Sequence, residues 1–410
     1  MEFNLALLTL SGLVILLGSF SSVLKQRLFL SEPIVALLVG VILGPLVSGA
    51  VNLSDWGNPN VILEQGARLA IAIQLIGAAL RLPPGYPFRQ WRTLAGLLGL
   101  VMPLMWLISG LLVYLILGLP FWTAMLIGAI LTPTDPVVAT SVVTGKVAEQ
   151  NLPGHLRNPL SAESAANDGL GFPFVLLPIL IMTRSPGDAV LHWLGYVVLW
   201  QVVGAVLIGG LIGYGAGKLL LWAEAKKTVD KQSFLAYTVA LAILVLAVLK
   251  LLDTDGILAV YAAGTIFTII VNGHERAETG KVDEAIDRFF TLFIFVLLGL
   301  ALPWQEWLNL GWKGIGLAIA IILLRRPPVL LLCRSALPQL KGLKPALFAG
   351  WFGPIGVSAL FYAMLAMEKT GLEEIWPISS LVICVSILVY GTTAIPLTKF
   401  YGQTAHDRDR

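Results

Sequence analysis

Residues Leu131–Gly169 read LTPTDPVVATSVVTGKVAEQNLPGHLRNPLSAESAANDG. Pro133 and Pro136 lack an N–H, and their rings clash with the carbonyls of Ala129 and Thr132 in a helix. Each proline also drives its predecessor, Thr132 or Asp135, out of helical geometry. The helix is therefore expected to open near Thr132–Asp135, freeing carbonyls beside the hydroxyls of Thr132 and Thr134. Backbone opened at membrane depth persists only inside protein or beside a water-filled cavity. A plain proline kink is the alternative, but Asp135 inside the break points to a binding site.

The second half of the stretch carries Glu163, Ser164, Asn167 and Asp168. At about 100° per residue on a helix they fall at roughly 0°, 100°, 40° and 140°, one polar face on an apolar helix. The two carboxylates lie at opposite edges of that arc and are not expected to share a partner. An intramembrane carboxylate is a functional-site hypothesis by default. Asp168 is read as the site, and Glu163 as the partner of a buried cation, Arg325 or Arg326. Snorkelling to the interface is the alternative for whichever arginine lies nearer the helix end.

The surroundings make those charges costly. Of the 410 residues 57% are hydrophobic and 12% charged, about half the charge of a soluble domain. The apolar residues come in runs of about twenty, predicted as thirteen spans at 3–23, 33–50, 61–80, 92–118, 121–143, 159–182, 189–222, 233–252, 256–272, 286–302, 312–333, 344–367 and 376–398. The first run has no basic residue before it and is expected to be a retained span rather than a secretory signal. With thirteen spans, 20 of the 27 Lys and Arg fall in one set of alternate loops. That side is the cytoplasm by the positive-inside rule, with the N-terminus outside and the C-terminus inside the plasma (inner) membrane. The fold class is an all-α polytopic membrane protein: one membrane domain over 1–400, then a short cytoplasmic tail at 401–410.

Span 12 carries Gly350-Trp351-Phe352-Gly353-Pro354-Ile355-Gly356, a second interruption seven spans after the first. Spans 5 and 12 then cross in opposite directions, as in two inverted six-span repeats (about 1–182 and 233–400) joined by span 7 at 189–222. Interrupted helices at corresponding positions of such repeats point to a transport site.

Other features read more simply. Glu64 and Arg68 form an i,i+4 pair near the outer surface, and Gln74 lies deeper along the same span. Gly209, Gly213 and Gly217 suit close helix packing. Cys333 and Cys384 read as buried thiols, and His155 as a loop residue. The formal charge of +3 is too small to suggest nucleic acid. There is no HExxH, Walker loop or GxSxG, so neither an enzyme nor an ATP-driven pump is indicated, and no cofactor is expected.

At TPTDPVVATSVVTGK, LSAESAANDGLGFPF, the Arg325–Pro328 run RRPP and GWFGPIGVSALF (350–361), the chain resembles the monovalent cation–proton antiporter family, the sodium–proton exchangers, in particular a subgroup of fungal plasma membranes and some bacteria. The resemblance implies alternating-access exchange of Na⁺ or Li⁺, with K⁺ the further candidate, for H⁺ by a homodimer with crossed unwound helices at spans 5 and 12. By motif, Asp168 matches the carboxylate that takes either cation or proton. Asn167 matches its neighbour; Thr132, Thr134, Asp135 and Ser164 lie around the ion; and Glu163 with an arginine of span 11 matches a structural pair. Ile355 stands where many relatives carry a basic residue. The long cytoplasmic tail of the fungal exchangers is not in the sequence, so regulation through it is not expected.

Carboxylate, hydroxyl, amide and carbonyl oxygens suit hard monovalent cations. One carboxylate holds a proton or a cation, not both, which couples the two fluxes. Asn167 leaves a single titrating group at that spot, so one-for-one electroneutral exchange is expected. A cation-coupled symporter on a similar plan is the leading alternative. A gated channel would show filter repeats or charge rings, and an intramembrane aspartyl hydrolase would need Asp135 and Asp168 as a dyad.

Overall fold

In the computed structural model the described residues are 31–135, 145–226, 234–271 and 289–406, with the single positions 8, 11, 12, 15, 138 and 142. Their apolar runs are helical, as lipid requires of a chain that must satisfy its own backbone, and no strand occurs among them. In chain order the helices are α1 (Glu32–Leu43), α2 (Pro59–Arg81), α3 (Trp91–Leu117), α4 (Phe121–Ile130), α5 (Gly145–Asn151), α6 (Gly154–Thr183), α7 (Pro186–Ala225) and α8 (Phe234–Leu251). There follow α9 (Gly256–Val271), α10 (Phe289–Leu300), α11 (Trp304–Leu324), α12 (Pro327–Cys333), α13 (Leu343–Trp351), α14 (Val357–Thr370) and α15 (Ile375–His406). Among the described residues six helical runs are long and apolar enough to cross a membrane: α2, α3, α6, α7, Trp304–Ala336 and α15. Shorter apolar helices are α1, α4, most of α8, α9 and α10. The chain is an integral, multi-pass helical protein.

Local chemistry sets the ends. Asn58 caps α2 by accepting the Asn60 N–H at 2.9 Å, with Pro59 at the first helical position, where its missing N–H costs nothing. The predicted span 5 ends as a regular helix at Ile130, and span 12 splits into α13 and α14 around Phe352–Gly356. Span 11 differs in two ways. It begins earlier, at Trp304, with a kink at Gly311, and it breaks at Arg325–Arg326 before the prolines of α12. Residues 401–406, expected in a polar tail, continue α15, where a Cβ on Gly402 would meet Asn151 of α5. Span 1 at 3–23 apart from four positions, Pro136, most of 137–144, the break at 274–287 and residues 407–410 lie outside the described residues.

The core is arranged around α6, which touches α2, α4, α9 and α14 and buries residues from Leu156 to Leu180. Glycines bring neighbouring helices to backbone contact. A Cβ on Gly209 or Gly213 of α7 would lie 2.4 or 2.2 Å from the carbonyl oxygen of Ala259 or Ala263 on α9. Gly128 of α4 meets Gly110 of α3 in the same way, and Gly40 of α1 meets Gly299 of α10. The stripe 209–213–217 therefore packs as its spacing predicts.

Gly213→Ala is expected to lower the thermal unfolding temperature in detergent, by an overpacking cost of about 1–3 kcal/mol. Gly215→Ala, with nothing within 4 Å of the added carbon, is the control and is expected to leave it unchanged.

Candidate functional site

Both breaks free main-chain groups in the buried centre, and two charged side chains take them up. After Ile130 the carbonyls of Leu131 and Thr132 leave the helical ladder and accept from the Arg325 guanidinium, that of Thr132 at 3.2 Å. The same guanidinium donates to the Gly353 carbonyl just beyond α13. One cation thus serves the C-terminal ends of two half-helices, where the backbone dipole is negative.

Asp135 does the converse. Its Oδ2 accepts the Val357 N–H of α14 at 2.7 Å, and its Oδ1 accepts from Val138 N–H at 3.4 Å. A carboxylate is favoured at the N-terminus of α14 by capping and by the dipole. The Asp135 N–H donates to Pro354 O at 2.8 Å, so the two breaks touch directly. Gly356 makes this approach possible: a Cβ there would lie 2.0 Å from Asp135 Oδ2.

On α6 the predicted polar arc fans out to separate partners. Glu163 forms a two-pronged pair with Arg326, Nη1 to Oε1 at 2.6 Å and Nη2 to Oε2 at 2.7 Å, and both side chains are buried. Arg326 Nε also donates to Ala349 O at 3.0 Å. Arg326 is therefore the partner of Glu163. Arg325, the other candidate, instead bonds carbonyls, because the break places its guanidinium between two helix ends. Neither arginine snorkels, each being only 1% exposed.

The middle of the arc grips the unwound strand. Asn167 Oδ1 accepts the Thr134 N–H at 3.1 Å and its Nδ2 donates to Thr134 Oγ1 at 2.8 Å, an orientation fixed by the backbone donor. Ser164 donates to Thr134 O. Thr132 turns back on its own helix, its hydroxyl donating to Gly128 O at 2.7 Å, so it supports the break rather than the arc.

Asp168, at the far edge, faces α14: the Ser358 hydroxyl donates to its Oδ1, and the Tyr362 hydroxyl donates to its carbonyl and, at 3.1 Å, to that of Gly169. The structure thus brings Thr134, Ser164 and Asn167 together, and sets Asp135 and Asp168 on the two sides of the start of α14. Ser358 and Tyr362 went unread in the sequence; the signal was a polar pair four residues apart, directly after a glycine-proline break. The expected Glu64–Arg68 pair is not a direct bond. Arg68 donates to Leu246 O at 2.9 Å and to Gln65, reaching the neighbouring helix instead. Gln74 donates to Thr291 at 3.2 Å, tying α2 to α10.

Removing one partner of a buried pair strands the other's charge, at about 3–5 kcal/mol. Glu163→Gln is expected to lower thermal stability on that scale, and Glu163→Arg with Arg326→Glu to recover part of it. Equal melting of Glu163→Gln and wild type would contradict the assignment.

The sodium/hydrogen exchanger transmembrane family model matches residues 12–400. The Na(+)/H(+) antiporter of Saccharomyces cerevisiae is 35% identical over 93% of this chain and 42% of its own length. Na(+)/H(+) antiporter 2 of Zygosaccharomyces rouxii is 35% identical over 92% of this chain and 51% of its own. The chain spans about half the length of these curated relatives. The sodium proton antiporter of Methanocaldococcus jannaschii superimposes with a TM-score of 0.76 at 20% identity, covering 98% of this chain and 99% of that one, and so shares the fold. With its paired breaks, its buried carboxylates and a family match over nearly its whole length, the chain belongs to the sodium/hydrogen exchanger family, whose members are transporters rather than enzymes.

Proposed function

We propose that this chain exchanges Na⁺ or Li⁺ for H⁺ across a membrane by alternating access, with Asp168 binding proton and cation in turn. The observation that carries the reading is the setting of Asp168. It is a buried carboxylate (1% exposed) in the middle of a span, bonded to a hydroxyl and not to a fixed cation. Glu163, five residues earlier, is neutralised by Arg326; Asp168 is left to be neutralised by what it carries. Ser358 suits both occupants, since a hydroxyl donates to a carboxylate and, turned round, accepts from a protonated acid. The curated relatives named above are sodium–proton antiporters, which supports the same cargo here.

In this reading Asn167, Ser164 and Thr134 shape the cation's surroundings by holding the unwound strand against α6, while Asp135 sets the start of α14. Thirteen spans in two inverted repeats, an N-terminus outside a plasma membrane and a homodimeric assembly complete the proposal. Because Asn167 cannot titrate, exchange is one for one and moves no net charge. The relatives named above are antiporters, and nothing here favours the symporter alternative.

In proteoliposomes under an imposed pH gradient, added Na⁺ or Li⁺ is expected to collapse the gradient; no response to Na⁺, Li⁺ or K⁺ would sink the reading. Asp168→Asn is expected to abolish exchange while melting like the wild type. A membrane potential is worth about 2.3 kcal/mol per charge per 100 mV, so a potential that by itself drives exchange would refute electroneutrality.

A further inference from the structure

A second carboxylate lies apart from the breaks, in the turn between α8 and α9. Asp255 is 3% exposed and caps α9, its Oδ1 accepting the N–H groups of Ile257 at 3.0 Å and Leu258 at 3.2 Å. Its Oδ2 is buried and has no hydrogen-bond partner. A stranded buried carboxylate oxygen is costly, and capping by Oδ1 does not relieve it. The charged or titratable groups of other helices that act on Asp255 are Arg68 of α2 and Tyr362 of α14. Arg68 spends its guanidinium on Leu246 O and Gln65, and Tyr362 spends its hydroxyl on the carbonyls of Asp168 and Gly169.

The turn is held in place by another element. Within the π-helical part of α7 (Trp193–Gly204), Tyr196 donates to Asp253 Oδ2 at 2.7 Å, Trp200 to Leu252 O at 3.2 Å and Gln201 to Asp253 O at 3.0 Å. The Asp255 N–H donates back to Gln201 O at 3.0 Å. Asp253 is held at φ 51, a left-handed conformation uncommon outside glycine. Such fixation is more than a connecting turn needs. It also aims the chain inward, from exposed Asp253 to buried Asp255 within two residues. The first turn of α9 then abuts the residue after Asp168: a Cβ on Gly169 would lie 2.5 Å from Leu258 Cβ. Tyr362, bonded to the Asp168 and Gly169 carbonyls, is also within electrostatic reach of Asp255.

We propose that Asp255 is a second binding site for the transported monovalent cation, a station between Asp168 and the membrane face on which the α8–α9 turn opens, using its unpartnered Oδ2. This rests on the exchanger reading above and adds a step to its route. The cation would hop from the turn, where Asp253 offers an exposed carboxylate, to Oδ2 and then past Gly169 to Asp168. The Lys and Arg distribution assigns that face to the outside.

Asparagine caps helices as well as aspartate, so Asp255→Asn keeps the cap and removes the charge. In the proteoliposome assay it is expected to raise the Na⁺ concentration for half-maximal exchange about tenfold or more, the scale of losing one supporting group at a cation site, with unchanged melting. Asp255→Glu is expected to restore part of the affinity. Wild-type half-saturation in Asp255→Asn would leave Asp255 a cap alone and overturn the proposal. Should that variant fail to fold, the Asp168→Asn protein decides. Its melting temperature in NaCl is expected to exceed that in choline chloride at equal ionic strength, and no difference overturns the proposal. Wild-type protein that carries out no exchange would refute the exchanger reading instead, while the melting comparison still reports on the site.

Discussion

A helix opened in the middle of a membrane exposes polar main-chain groups that lipid cannot solvate, at several kcal/mol each. Here two helices open at the same depth and face each other, and their loose ends are answered by one anion and one cation. Asp135 lies on the N-terminal, positive end of α14 and also accepts the Val138 N–H; Arg325 lies on the C-terminal, negative ends beyond α4 and α13. Arg325 cannot shed its proton, so its half of the arrangement is permanent. The crossing is thereby a nearly neutral polar island, a fixed background for any charge that the proposed exchange brings to Asp168.

The three carboxylates of the centre have been given different work by their neighbours. Glu163 is saturated by a two-pronged guanidinium and by burial, and is part of the frame. Asp135 is engaged by backbone N–H groups. Asp168 has a hydroxyl, which can reverse its direction of donation. The same chemical group, a carboxylate, thus serves as strut and as cap and, in the proposed exchange, as carrier within one cluster, and the difference lies in the donor that each one meets.

Much of this was legible because it is local chemistry. Two prolines around Asp135 favour an opening, as glycine and proline do in GWFGPIG, whereas the single prolines 159, 173 and 178 stay inside α6; and the 3.6-residue period separates Glu163 from Asp168 without reference to any other helix. What was not legible is pairing across hundreds of residues. Arg325 and Arg326 are adjacent and identical in type, and only the break at the end of α11 sends one to Glu163 and the other to carbonyls. Ile355 leaves the span 12 loop without a charge of its own, and Arg325 reaches the Gly353 carbonyl of that loop from the neighbouring helix, a pairing that no local pattern reveals. Ser358 and Tyr362 escaped for the same reason, since a hydroxyl on an apolar helix is informative only once its partner is known.

The glycine contacts between helices carry a consequence for how the molecule can change shape. Where a glycine brings two helix backbones together, as between α7 and α9, α3 and α4, or α1 and α10, the two helices cannot slide or roll without first separating, and close-packed interiors resist that. Each pair is therefore a rigid tile. An alternating cycle must place its moving seams along the side-chain-packed borders between tiles. Because α9 is joined to α7 and its backbone at Leu258 also meets Gly169 of α6, Asp168 sits on one such tile, and in the proposed cycle it moves together with α7 and α9.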